Sequence, residues 1–315
     1  MEQPLEQFSY HRLTRSWSGY RWWKPLITGL LGLVFYTALV VILLLAGVFA
    51  SLFGSEGFLG ILDRLMAIDL GDPFFFAFTL ISIILMIPAL ALAALITGPH
   101  PVGLLSSVAG RIRWYWLGQC IAAAVVVYGL SFLILFLLPG APGESTPPAD
   151  FSLPNAGILL LLTVFLVPLQ ATAEEYVFRG YLMQAVGSWL RHPAFAILLP
   201  VPLFVLGHGY DPLGQAEVGL FAIFAGWITW RTGGLEAAIA AHAVNNMVLF
   251  ALGAVGVLDV NASEGSALGV VISVLTLGVF AAVIVRLSTR VDRVREQRPA
   301  DESYPEWPAP AGRPA

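Results

Sequence analysis

The sequence predicts an all-α, polytopic transmembrane helical bundle of about eight spans, with the N and C termini cytoplasmic. Three observations lead to this prediction. The chain is 58% hydrophobic and 11% charged, with a mean hydropathy of +0.81, whereas soluble domains carry about 25% charged residues. Apolar runs of about 20 residues, long enough to cross a bilayer as helices, recur along the chain. The basic residues are distributed on one side of these runs.

The apolar runs are separated by Gly- and Pro-rich breaks, such as GPHPVG at 98–103 and PGAPGESTPPAD at 139–150. The first run is longer than the apolar core of a signal peptide, so we expect it to be retained as a span. The predicted spans are 26–53, 74–97, 114–138, 156–173 (continuing to about 190), 194–208, 217–231, 235–256 and 267–287.

The basic residues test this count independently of hydropathy. With eight alternating spans, every one of the 16 lysines and arginines except Arg64 falls on the same side. The positive-inside rule makes that side cytoplasmic. The net charge of −4 gives no basic field, so nucleic-acid binding is not supported. The single cysteine, Cys120, excludes an intramolecular disulfide and a cysteine-rich metal cluster.

These features divide the chain into five parts. The ends are expected to be cytoplasmic, with a basic and aromatic arm at the start and a Pro-rich, disordered tail at the finish. The parts are the arm 1–25, the N-terminal transmembrane helices 26–150, a core with the unusual polar residues 151–258, the last transmembrane helix 259–288 and the tail 289–315.

Two adjacent acids interrupt the fourth apolar run in the stretch AEEYVFRG at 173–180. Neighbouring residues on a helix point about 100° apart, so Glu174 and Glu175 face different surroundings. Glu175 and Arg179 lie at i and i+4, in the favourable acid-before-base order, whereas Glu174 aligns with Phe178. We expect Glu175 to be ion-paired and structural, and the unpaired Glu174 to suit a general base. A charge cluster that only locks helices together is the alternative.

Histidine and asparagine provide the remaining intramembrane polar groups. His208 ends FVLGH in the fifth run, and His242 begins HAVNN in the seventh, with Asn246 one helical turn later. Such groups in a membrane usually face the protein interior and are candidates for function. Carboxylate, imidazole and amide groups together can activate water and hold an oxyanion. The histidines outside the spans, His11, His100 and His192, are expected to be solvated.

The three polar motifs, in this order on successive spans, resemble the CAAX protease and bacteriocin-processing enzyme family. EEYVFR fits E-E-x-x-x-R, FVLGH fits F-x-x-x-H and HAVNN fits H-x-x-x-N. The family comprises intramembrane endopeptidases related to the type II CAAX prenyl endopeptidase. The resemblance covers roughly residues 155–255 and identifies the core 151–258 as the catalytic part.

The resemblance implies an intramembrane endopeptidase that acts on a membrane-proximal peptide or protein in the bilayer, in a bacterial plasma membrane. Glu174 and His208 would activate the water, and His242 and Asn246 would stabilise the oxyanion. Glu175 and Arg179 would be the supporting pair. Both glutamate and metal chemistry have been assigned to the family. Zinc held by Glu174, His208 and His242 is one alternative, and metal-free hydrolysis by the same residues is the other.

Two rival functions use the same polar residues. One is a non-catalytic membrane scaffold or partner-regulating protein, and the other is a transporter or proton relay. For the hydrolase, Glu174 has to lie deep enough to meet His208. We therefore predict one long fourth helix from 156 to about 190, without a break after Glu175.

Overall fold

The computed structural model of the chain describes residues 6–51, 57–137 and 152–297, and these are almost entirely helical. The helices are α1 (Lys24–Ser51), α2 (Gly57–Ala67), α3 (Pro73–Ile84), α4 (Met86–Thr97), α5 (Trp114–Leu137), α6 (Leu153–Glu175), α7 (Met183–Trp189), α8 (Pro193–Leu198), α9 (Val201–Leu206), α10 (Pro212–Thr232), α11 (Glu236–Ala254) and α12 (Ala267–Leu287). The strands are β1 (Glu6–Ser9) and β2 (Val294–Gln297).

The predicted fold class is confirmed, because within the described ranges six helical segments are long and apolar enough to cross a membrane. Their surfaces remain rich in exposed Leu, Val, Ile and Phe, as expected for contact with lipid. The six segments are Lys24–Phe49, Pro73–Thr97, Trp114–Leu137, Leu153–Trp189, Glu236–Ala254 and Ala267–Leu287.

The two shortest predicted spans form a helical hairpin instead. The run expected at 194–208 is divided into α8 and α9, because Pro200 and Pro202 have no N–H to donate to the preceding turn. The run expected at 217–231 is α10, which has 21 residues but includes the polar Glu217 and Arg231. The predicted count of eight is therefore replaced by six apolar spans plus this hairpin.

The long fourth helix is confirmed, and it extends over the 37 residues from Leu153 to Trp189. Ser152 caps its start by accepting a hydrogen bond from the Asn155 amide. The helix passes without a break from α6 through π-helical turns at Tyr176–Leu182 into α7. Glu174 and Glu175 thus lie in the interior of a continuous helix, directly before a π-helical segment of the kind often found at functional sites.

Helix α11 is the most buried of the six apolar spans and packs against α5 and α6. Its first half, EAAIAAHAV, is rich in alanine, and the alanines at 237, 238, 240 and 241 have no exposed surface. Small side chains allow helix backbones to approach closely inside a membrane protein. This close packing brings His242, on the same buried half of α11, against the middle of the α6–α7 helix.

The two termini pair with each other on one side of the bundle. β1 and β2 run antiparallel, with Phe8 opposite Arg295. The 3₁₀ turn Tyr10–Ser16 packs against α7, and Tyr10 and Leu13 are fully buried. The expectation that His11 is solvated is wrong, since only 3% of it is exposed. The strand at 294–297 lies within the expected tail, while residues 298–315 of the predicted disordered tail lie outside the described residues.

Candidate active site

Glu175 lies at the centre of the buried polar cluster. Its Oε1 accepts a hydrogen bond from Arg179 Nη1 at 2.9 Å, which confirms the predicted i,i+4 pair. The same oxygen lies 2.8 Å from His242 Nδ1, across the interface between the fourth helix and α11. Arg179 also donates from Nη2 to the Ala222 carbonyl of α10. Glu175 therefore joins three elements, and its full burial requires these partners.

Glu174 has different neighbours, as the 100° separation predicts. Gln170, one turn earlier, donates from Nε2 to Glu174 Oε1 at 2.8 Å, and both side chains are buried. Glu174 Oε2 is buried, has no hydrogen-bond partner within the described ranges and lies 3.6 Å from His242 Nε2. One imidazole thus faces both carboxylates, with Nδ1 on Glu175 and Nε2 towards Glu174.

Asn246 joins the cluster through Gln170. Its Nδ2 lies 3.4 Å from Gln170 Oε1, and its Oδ1 accepts from Asn245 Nδ2 at 3.1 Å. Both asparagines are partly exposed, whereas Gln170 and Glu174 are buried. The asparagines form the more accessible edge of the polar cluster.

His208 lies at the edge of the cluster, on the half-buried turn that follows α9. Its Nδ1 lies 2.8 Å from the Phe204 carbonyl, so Nδ1 carries the hydrogen. In the neutral ring, Nε2 is then an acceptor. In the described part of the chain, no ion pair within 4.0 Å joins His208 to either carboxylate. The structure brings Glu174, Glu175, Arg179 and His242 into direct contact. His208 lies outside this group and packs against the Phe204 ring.

Aromatic rings fill the space between His208, His242 and Arg179. Phe204 lies 4.8 Å from the His208 ring and 4.4 Å below the Arg179 guanidinium. Phe221 packs edge-on against His242 at 4.9 Å. These contacts restrict both imidazoles and provide a cation–π partner for a desolvated arginine. The rings therefore form an apolar wall beside the polar groups.

The expected zinc ligands do not form a ligand set in this arrangement. Among the described residues, no three His, Cys, Asp or Glu side chains are grouped as a metal ion requires. The Nδ1 bonds of His208 and His242 do not by themselves prevent Nε2 from binding a metal. However, His208 is not grouped with Glu174 and His242 in the described part of the chain. The residues present do not fit a zinc ion held by Glu174, His208 and His242.

Gln170 is a site residue that the sequence analysis missed. The signal was present, because Gln170 precedes Glu174 by four residues and is a polar residue in an otherwise apolar stretch. The i,i+4 rule that found the Glu175–Arg179 pair applies equally to Gln170 and Glu174. In the aromatic wall, Phe204 is the first residue of the F-x-x-x-H motif, whereas Phe221 gave no signal, since it resembles any other phenylalanine of a membrane span.

Fold and contacts define the class: this is an integral membrane protein with a buried cluster of acids, imidazole and amides inside a helical bundle. Residues 155–248 match the family model described as Type II CAAX prenyl endopeptidase Rce1-like. This stretch runs from α6 into α11 and contains all the candidate residues. The resemblance seen in the sequence is therefore confirmed for this stretch, and it supports an intramembrane CAAX-type endopeptidase at the level of the family.

A curated relative covers a similar length of chain. The "Uncharacterized protein YyaK" of Bacillus subtilis (strain 168) is 38% identical over 98 residues, which are 29% of this chain and 33% of that protein. The chain thus matches about a third of the relative's length. No solved structure gives a significant match.

Proposed function

We propose that the protein is an intramembrane endopeptidase in which Glu174 activates a water molecule for attack on a peptide bond. The observation that carries this proposal is the state of Glu174 Oε2. It is buried, it has no hydrogen-bond partner among the residues that the structure describes and it faces His242 Nε2 at 3.6 Å. An unpartnered carboxylate oxygen in a buried site is unfavourable unless another group binds there. Water and a substrate carbonyl are the groups that hydrolysis requires.

The charges of the cluster suit this role. Glu174 and Glu175 carry two negative charges, and Arg179 balances one of them. In the proposed reaction His242 takes part with a hydrogen on each ring nitrogen. Nδ1–H donates to Glu175, and Nε2–H is directed towards the space beside Glu174.

The proposed reaction uses these groups in order. Glu174 takes a proton from the water, and the water oxygen forms a bond with the carbonyl carbon. The resulting oxyanion accepts hydrogen bonds from His242 Nε2 and Asn246 Nδ2. When the carbonyl re-forms, the C–N bond breaks and Glu174 gives its proton to the leaving amine. His208, whose Nε2 is an acceptor in the neutral ring, orients the water from the other side.

The substrate class follows from the matched family and from the position of the cluster. Glu174 and Glu175 lie in the interior of a 37-residue helix that is apolar enough to cross a membrane. A substrate must therefore reach the site from the bilayer or its interface. We propose a membrane-associated peptide or protein as substrate and a bacterial plasma membrane as the location.

Reconstituted protein tests this function. The probe is a peptide with a prenylated CAAX-type C terminus and a fluorophore and quencher on either side of the scissile bond; the unprenylated peptide is its comparison. We expect the native chain to cleave the probe and the Glu174→Ala, His208→Ala and His242→Ala variants to lose about 10³-fold or more in kcat. Full activity in the Glu174→Ala variant contradicts the mechanism and favours the scaffold alternative.

A further inference from the structure

A chain of amide hydrogen bonds leads through the polar cluster to Glu174. Asn245 Nδ2 donates to Asn246 Oδ1 at 3.1 Å, and Asn246 Nδ2 lies 3.4 Å from Gln170 Oε1. Gln170 Nε2 donates to Glu174 Oε1 at 2.8 Å. The chain links the partly exposed edge of the cluster on α11 to the buried acid on α6.

The direction of this chain follows from chemistry. An ionised carboxylate only accepts hydrogen bonds, so Gln170 presents its NH₂ group to Glu174. The Gln170 oxygen is then available to Asn246, which must donate to it. The Asn246 oxygen in turn accepts from Asn245. In each of these three hydrogen bonds, the bridging N–H therefore points along the chain towards Glu174.

We propose that Gln170 is a positioning residue that makes one oxygen of Glu174 the base. The hydrogen bond from Gln170 occupies Oε1 and fixes the rotation of the carboxylate. Oε2 is consequently the oxygen directed at the gap beside His242 Nε2. Donation from an amide also stabilises the charged carboxylate that accepts the water proton. This inference rests on the proposed function, since Glu174 is the base there.

The same chain couples the base to the oxyanion site. Asn246 uses one N–H on Gln170, which leaves its second N–H for the substrate oxygen. Since Gln170 is held by both Asn246 and Glu174, a displacement of its amide moves the base and the oxyanion donor together. A displacement of about 1 Å at a reacting group can lower the rate on the order of 100-fold.

The experiment compares three variants in proteoliposomes. Gln170→Met keeps the length of the side chain and removes the donor, and Gln170→Glu keeps the shape and replaces the donor with an acid. The matched control is Thr163→Val, because Thr163 lies in the same helix, is 2% exposed and has a hydroxyl without a hydrogen-bond partner. The readouts are kcat and KM on the quenched peptide and the infrared carboxylate stretching band of Glu174, assigned by its loss in Glu174→Gln.

For Gln170→Met we expect kcat to fall on the order of 100-fold with a much smaller change in KM. The infrared carboxylate band of Glu174 should shift in frequency, because the hydrogen bond from Gln170 Nε2 to Oε1 is lost. Gln170→Glu should also shift the band and lower kcat, since the amide donor is replaced by an acid. Thr163→Val should leave rate and band unchanged.

The two readouts separate the failure of this inference from the failure of the proposed function. An unchanged Glu174 carboxylate band in both Gln170 variants overturns the positioning role, whatever the rates are. If the native chain cleaves no probe while the band still shifts in the variants, the proposed function fails and the Gln170–Glu174 bond remains. If Gln170→Met does not fold, Gln170→Glu alone decides, because it preserves the shape of the side chain.

Discussion

Glu174 and Glu175 are adjacent buried acids, yet they differ in the partners that compensate for their burial. Glu175 Oε1 is bound by a guanidinium and an imidazole, so removing its charge leaves Arg179 uncompensated. Glu174 has a neutral amide on one oxygen and no partner on the other. The i,i+4 spacing was sufficient to predict the Glu175–Arg179 pair. The His242 contacts could not be predicted, because they join two helices whose rotation is set by packing.

Replacement by glutamine should therefore affect a different property at each acid, namely stability at Glu175 and turnover at Glu174. Glu175→Gln should destabilise the fold by about 3–5 kcal/mol, since it breaks a buried ion pair. Glu174→Gln should change stability by less than about 1 kcal/mol while abolishing turnover. Thermal unfolding in lipid nanodiscs measures the first quantity, and cleavage of the quenched peptide measures the second. A larger loss of stability in Glu174→Gln contradicts the division of roles.

The ligand geometry also predicts the response to chelators. Because Glu174, His208 and His242 are not grouped as a metal ion requires in the described part of the chain, the expected zinc set does not converge. Turnover should persist after treatment with a strong chelator, and purified protein should contain much less than one zinc per chain. Metal analysis and a chelator series with metal add-back measure this. Loss of activity that zinc restores contradicts the metal-free mechanism proposed above.

At the scale of elements, long apolar runs were predictable and short contacts between distant segments were not. The fourth helix was predicted at its full length because no proline or glycine cluster interrupts 174–190. The α8–α9 break follows from Pro200 and Pro202, whose effect the hydropathy count ignored. β1 and β2 gave no signal, since each has four residues and they pair across almost the whole chain. The N-terminal arm is likewise buried by a contact between distant segments, since its 3₁₀ turn packs against α7 and Thr14 donates to Gln184.

The docking of the 3₁₀ turn on α7 should depend on pH through His11. His11 Nε2 lies 3.0 Å from the Arg191 carbonyl, and Nδ1 lies 3.0 Å from Ser9 Oγ. This fits the neutral ring, with Nε2–H donating and Nδ1 accepting. Burial lowers the pKa of His11 below its usual 6.5, and the nearby Arg12 and His192 lower it further, outweighing the bond to the Arg191 carbonyl.

Because the pKa of His11 is lower in the folded protein than in the unfolded chain, its contribution to stability is complete above about pH 6.5 and is lost as the pH falls below that value. Hydrogen exchange of the segment Tyr10–Ser16 should therefore accelerate between about pH 6.5 and 5, after correction for the intrinsic rate. His11→Gln should remove this dependence. If the dependence persists in His11→Gln, another group such as His192 is responsible.

At the scale of the whole molecule, pairing of the termini restricts the topology. β1 precedes α1 and β2 follows α12, and the two strands lie side by side. The chain must therefore cross the membrane an even number of times between them. The six apolar spans give an even number of crossings. A hairpin that enters the membrane and returns to the same side keeps the number even. The distribution of basic residues predicts that the paired termini are cytoplasmic.

The hairpin of α8, α9 and α10 reaches the opposite side of the bundle. At its tip, Asp211 accepts a hydrogen bond from Gly265 N, and the Asp211 amide donates to the Ser263 carbonyl. Both partners belong to the loop between α11 and α12. That loop also contacts the α2–α3 connection, where Asn261 Oδ1 accepts from Leu70 N. The loop and the tip should therefore face the non-cytoplasmic side together.

Single cysteines test this topology in intact cells with a membrane-impermeant thiol reagent. Cys120 is the sole cysteine and has no exposed surface, so the native chain is the unlabelled baseline. Gly209→Cys marks the tip, where an added Cβ meets no atom within 4 Å. Ala262→Cys marks the α11–α12 loop and Ser18→Cys marks the N-terminal segment, at exposed positions. We expect labelling at 209 and 262 from outside and at 18 only after permeabilisation, because the hairpin tip is bound to the outer loop. If residue 209 is labelled only after permeabilisation, as residue 18 is, the hairpin does not cross the membrane. The Glu174 cluster would then be closed towards the outer side.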